Sequence, residues 1–201
     1  MLLETERLIL REMTRKDLPD LCKMLQDPEV MWAYEHAFSD LEVSVWLERQ
    51  LERHRENGFG LMAVILKPTG ELIGQTGITW QDWNGRQVPE IGYIFSKSHW
   101  HQGYATEAAS ACKQYAFEIL GFNEVYSIIR DNNFPSQQVA IRNGMKKLGE
   151  TIKFYYNMTM PHYVYRITKE ENDSNGKEET ASAVQSCITP DNGIDNSTLV
   201  K

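Results

Sequence analysis

Glu90-Ile91-Gly92-Tyr93-Ile94-Phe95 and, four residues on, Trp100-His101-Gln102-Gly103-Tyr104-Ala105-Thr106-Glu107-Ala108 form the stretch that decides how this chain folds. The first run reads as a strand. The second opens a helix almost at once, since Ala105, Ala108, Ala109, Cys112, Ala116 and Ile119 follow at helical spacing. A helix N-terminus leaves backbone N–H groups without partners, and the helix dipole gathers partial positive charge there. Gly103 permits close approach to that backbone, and the small Ala105 keeps the mouth open. Strand, loop and helix together make a seat for phosphate or pyrophosphate. A single glycine before a helix is more often a plain turn. GxxxxGK followed by Ser or Thr is absent, as is GxGxxG, which argues against a P-loop hydrolase and a dinucleotide-binding unit.

Working outward, Arg7–Arg11 is a short strand, and Thr14 with Asp17 caps a helix over Arg15–Gln26. Ser39 with Glu42 opens a second helix that Gly58 stops. The period then changes. Gly60–Leu66 and Glu71–Trp80 are strands, and Asn84-Gly85 marks a hairpin leading into the strand Pro89–Phe95. Beyond the helix Ala105–Leu120 come a strand at Val125–Arg130, a short helix at Pro135–Arg142, and strands near Met145–Lys153 and Met158–Thr168. The order β-α-α-β-β-β-α-β-α-β-β implies a mixed sheet flanked by helices.

The formal charge of −7 divides unevenly. From Glu170 onward there are seven acidic and two basic residues, a net of −5, and no aromatic side chain. Residues 170–201 are therefore expected to be a disordered acidic tail, and 1–169 the folded domain. That domain is nearly neutral, which argues against nucleic-acid binding. No stretch has the apolar length of a signal peptide or membrane span, and the three cysteines are scattered without disulfide or metal spacing. The expectation is a cytoplasmic protein, monomer or homodimer, with no metal and no membrane partner.

The run Trp100–Ala108 resembles the pyrophosphate loop of GNAT acetyltransferases, in the form "WGKGYATEA" common among ribosomal-protein alanine acetyltransferases. His101 stands where that form has its first glycine. Ile129-Arg130-Asp131-Asn132-Asn133-Phe134-Pro135-Ser136, continuing through Val139-Ala140-Ile141-Arg142-Asn143-Gly144-Met145, resembles the family's "N-x-x-S … V-A-x-R-N-G-M" region. Glu4–Arg11 resembles its "TERLxLR" opening. Together the matches span residue 4 to about 168.

The resemblance implies an α+β, three-layer α/β/α fold. Its sheet would be mixed and mostly antiparallel, with six to seven strands and a splayed central pair, flanked by about four helices. It also implies acetyl-CoA as acyl donor. Pantetheine would pair with the backbone of Ile91, Gly92, Tyr93, Ile94 and Phe95, and the phosphates would lie on His101, Gln102, Gly103, Tyr104, Ala105 and Thr106. Asn133 and Ser136 would border the thioester. A direct attack by an amine needs no enzyme nucleophile, so Cys112 belongs to the core. Glu90 is the first candidate base, or else a surface carboxylate at a strand start. Many members carry a tyrosine that protonates the leaving thiolate; the matching position here is Ala140. Ser136 is the candidate substitute, or else a helix-terminus hydrogen-bonder, with water as a further donor. His36, between the first two helices, is either an acceptor contact or a plain loop histidine. Trp80, Trp83 and Tyr93 are candidates for an aromatic acceptor wall, although strand aromatics usually pack in cores. The acceptor would be a small-molecule amine or a protein N-terminus. A catalytically weak acyl-CoA-binding regulatory module and an interaction protein working through its tail are the other two readings.

Overall fold

The computed structural model describes residues 2–155 and 157–174. Eight strands form one sheet in the order β1-β2-β3-β4-β5-β6-β8-β7. They are β1 (Leu2–Glu4), β2 (Leu8–Glu12), β3 (Leu61–Leu66), β4 (Leu72–Trp83), β5 (Arg86–Phe95), β6 (Glu124–Arg130), β7 (Lys146–Tyr155) and β8 (Met158–Thr168). The sheet has one strand more than the upper expectation. The additional one is β1, whose three residues are too short to show a period. The four longer helices are α1 (Leu18–Leu25), α2 (Asp40–Asn57), α3 (Tyr104–Glu118) and α4 (Phe134–Arg142).

Local signals explain most boundaries. Ser39 Oγ accepts from Glu42 N–H while the Glu42 carboxylate accepts from Ser39 N–H, and Gly58 ends α2 in the left-handed conformation at φ 76°. Asn84 and Gly85, at φ 55° and 74°, make the tight β4–β5 turn. Thr14 and Asp17 do form a cap, but over a one-turn 3₁₀ helix at Arg15–Asp17 that precedes α1. Arg11 grips the buried Asp17 through two nitrogens at 2.8 and 2.7 Å, which tightens that turn.

The sheet carries helices on both faces. One face packs α3 and α4 through Ala109, Cys112, Ala116 and Val139 against Leu10, Val64, Ile91 and Phe95. The other packs α1 and α2 through Leu21, Met24, Val43 and Leu47 against Ala63, Leu72 and Ile94. All neighbouring strands are antiparallel except β5 and β6, which are parallel and meet at a single register pair, Glu90 with Tyr126. Beyond it the two strands diverge.

Residues 169–174 continue from β8 as a helical turn. Thr168 Oγ1 accepts from Glu171 N–H, and Glu171 Oε2 accepts from Thr168 N–H. Residues 170–174 of the expected tail take this conformation, and the remainder of that tail lies outside the described residues. Among those described, no helix is long and apolar enough to cross a membrane.

Candidate active site

Strand pleating divides β5 between two jobs. Ile91, Tyr93 and Phe95 pack toward α3 and α4, while Ile94 joins the α1–α2 core. Glu90 and Gly92 share the face of Ile94. A Cβ at Gly92 would lie 3.2 Å from Glu90 Oε2, so glycine leaves room for that carboxylate. Past Ile91 the β6-facing backbone of β5 meets no strand. The carbonyls at the two ends of the gap are taken by side chains, Ile91 by Ser127 Oγ at 2.9 Å and Phe95 by the Trp100 indole at 2.8 Å.

A cleft of about 690 Å³ opens at this divergence. It gathers Glu90, Ile91, Gly92, Tyr93 and Ile94 from β5 with Asn133 and Ser136 from the start of α4. Phe95 and the loop 101–106 are not among its lining residues. Burial raises the Glu90 pKa above the usual carboxylate range, against the opposing pull of Lys153 and a 3.4 Å bond from Ile128 N–H. Asn133 caps α4, its Oδ1 accepting from Ser136 N–H at 3.2 Å. Ser136 accepts the Tyr93 hydroxyl at its carbonyl, at 2.7 Å. Its own hydroxyl has no intramolecular partner among the described residues. The Tyr93–Ser136 bond ties β5 to α4, and burial pushes the Tyr93 hydroxyl pKa far up. Ala140 is buried in the α3–α4 side of the core and has no group that could give a proton to a thiolate.

The loop before α3 is held from outside. His101 and Gly103 are both left-handed, at φ 60° and 83°. The resemblance therefore finds its first glycine at a position whose conformation glycine suits, and histidine bears it here. No side chain caps α3. Glu107 turns away from the seat and accepts from Thr5 Oγ1 at 2.6 Å, Arg7 N at 2.9 Å and Arg7 Nε at 2.6 Å. Arg7 also reaches the Gln102 carbonyl at 2.9 Å and lies 4.4 Å over the Tyr104 ring. The two sequence motifs at residues 4–11 and 100–108 are one clamp.

The structure separates the remaining expected residues. Trp80 is not in the cleft. It packs edge-on against Phe59 and Phe122, with centroids at 5.7 and 5.4 Å, because its place in the pleat points it to the opposite face from Thr79. Trp83 packs on Tyr126. His36 bonds Glu42 at 2.9 Å and leans on Phe38; Glu42 and Phe38 line the cleft but His36 does not. Cys112 is fully buried and its thiol pKa is pushed up to about 12, consistent with a core residue.

Sequence reasoning missed several lining side chains: Tyr34, Trp46, Arg49, Arg53, Arg130 and Lys153. Arg49 and Arg53 lie four apart on α2, a spacing that would have placed them on one face. Lys153 had no such signal, since only the curl of β7 brings it beside Gln81 and Glu90.

Residues 7–146 match the family described as "Acetyltransferase (GNAT) domain". The chain belongs to the GNAT acetyltransferase family. The Bacillus subtilis protein YkkB is 36% identical over 144 residues, 71% of this chain and 84% of that one. A GNAT-family acetyltransferase from Bacillus anthracis superposes with a TM-score of 0.72 at 26% identity, covering 85% of this chain and 99% of its own. The ribosomal-protein-S5-alanine acetyltransferase of Vibrio fischeri has the same fold, with a TM-score of 0.68 at 18% identity over 84% of this chain and 96% of that one. This GNAT protein is accordingly an acyltransferase enzyme, built on the mixed α+β sheet that the sequence implied.

Proposed function

We propose that the protein transfers acetyl from acetyl-CoA to a primary amine by direct attack. The observation that carries this reading is the divergence of β5 from β6 into the same cleft that holds Glu90 and Ser136. The open β5 backbone suits a pantetheine arm laid along it as an added strand, and the uncapped start of α3 suits the pyrophosphate. Bound there, acetyl-CoA supplies an activated thioester carbonyl.

The chain's own groups supply the rest. A β5 backbone N–H facing the gap stabilises the negative charge that develops on the carbonyl oxygen. Glu90, with its raised pKa, takes a proton from the amine, directly or through water. Ser136 Oγ–H, without a partner among the described residues, donates a proton to the departing thiolate. The acceptor is a small-molecule amine or a protein N-terminus.

Thiol release from acetyl-CoA with a panel of amines tests the reading. Amine-dependent turnover is expected, falling by about 10²-fold in kcat for Glu90→Gln. Saturable acetyl-CoA binding with no turnover on any amine would support a regulatory acyl-CoA-binding module instead.

A further inference from the structure

Glu90 is outnumbered in its own cleft. Arg49 and Arg53, one turn apart on α2, and Lys153 from β7 all line it. Among the described residues none of the three has a carboxylate within 4 Å. Arg53 donates instead to the Gln50 side-chain oxygen at 3.1 Å, and Lys153 to that of Gln81 at 3.2 Å. A neutral amide aims each cation and leaves its charge whole. Of the other charges of the lining, Arg130 pairs with Glu35, and Glu42, a second carboxylate, accepts from Ser39 and bonds His36.

Like charges gathered in a half-buried cleft repel one another, and burial together with Arg49 lowers the Arg53 pKa. Such an arrangement is relieved when a ligand brings the opposite charge. We infer that the acceptor amine carries a carboxylate close to the reacting nitrogen, as an amino acid or an acidic peptide N-terminus does. The inference rests on the acetyl-transfer reading above. Arg49, Arg53 and Lys153 hold the carboxylate while Glu90 receives the amine proton. The same positive field discourages a protonated amine, so the acceptor reaches the thioester in its neutral, nucleophilic form. A polyamine would meet those three cations as well as the carboxylates of Glu90 and Glu42, and is disfavoured.

The test measures thiol release by the full chain with acetyl-CoA and matched acceptors. These are amino acids against their α-carboxamides, an acidic-start peptide against its Asn/Gln counterpart, and spermidine. The carboxylate acceptors should lead their amides by about tenfold or more in kcat/KM. Rising salt should shrink that lead in the unaltered enzyme, which needs no variant to fold. Arg53→Gln and Lys153→Gln should shrink it through acceptor KM, with the acetyl-CoA KM unmoved, and Arg53→Lys should keep most of it. Equal rates for acids and amides, a salt-independent ratio, or a preference for spermidine overturns the inference and leaves acetyl transfer standing. Acetyl-CoA binding without turnover of any amine overturns both.

Discussion

At Glu90, burial and charge pull against each other, and burial wins. Its folded pKa lies above that of the unfolded chain. As a base the group works only when ionised, so activity should fall as pH drops through that raised pKa, at higher pH than an ordinary carboxylate near ~4.3 would give. The acid limb of a kcat–pH profile measures this, and Glu90→Gln should abolish it. Stability has the opposite dependence. A raised folded pKa means the unfolded chain loses its proton first, so stability declines as pH rises across the interval between the two values. Glu90→Gln should therefore lose turnover yet melt no lower than the parent, and relatively higher once pH has passed that interval, in a thermal scan. The acid at this position was legible because it precedes the run leading to the loop, although β5 starts four residues earlier and places Glu90 mid-strand. Its neighbour Lys153 was not, since no local pattern reports that an edge strand sixty residues on will curl over it. Trp80 was misjudged for the same reason: its face of the pleat depends on which helices cover the sheet, and neighbouring residues do not encode that.

Among the elements, the α3 loop is the most finely braced. Glu107 accepts three bonds from Thr5 and Arg7, and these overcome the upward push of burial and hold its pKa down. A depressed folded pKa contributes stability above the unfolded value and loses it as pH falls through the folded one. Glu107→Gln should cost roughly 1–3 kcal/mol in chemical denaturation and raise the acetyl-CoA KM, because the Gln102 carbonyl loses its steadied Arg7. Two substitutions in the loop should differ in sign. His101→Gly relieves a left-handed side chain and is expected to be neutral or stabilising by up to about 1 kcal/mol. Gly103→Ala adds a Cβ at φ 83° and 3.3 Å from the Arg7 guanidinium, and should destabilise and weaken acetyl-CoA binding. The elements themselves were largely legible, since caps, hairpin turn and glycine stops are local chemistry. The clamp was visible only as two separate motifs; that they touch is a fact of the sheet.

On the scale of the molecule, two cores on opposite faces hold the sheet between α1–α2 and α3–α4. After β8 the described residues form a capped turn, where Glu171 also meets Lys146 at 3.0 Å. A chain stopped at Lys169 loses that cap and should melt below one stopped at Ser174, by roughly 1 kcal/mol. The layering followed from the order of elements, whereas the depth of the cleft did not, because it is made by strands failing to pair. That failure has an anchor: the one rung between β5 and β6 is Glu90 with Tyr126. The proposed donor slot and proton acceptor are thus gauged from the same residue, like the two arms of a compass set at its pivot. The walls proposed to meet the acceptor come from α2, which does not touch that pivot, and from β7, the strand beyond β8 at the edge of the sheet. Such an enzyme can exchange one amine for another by rebuilding its outer walls, while its hold on the donor stays as it was.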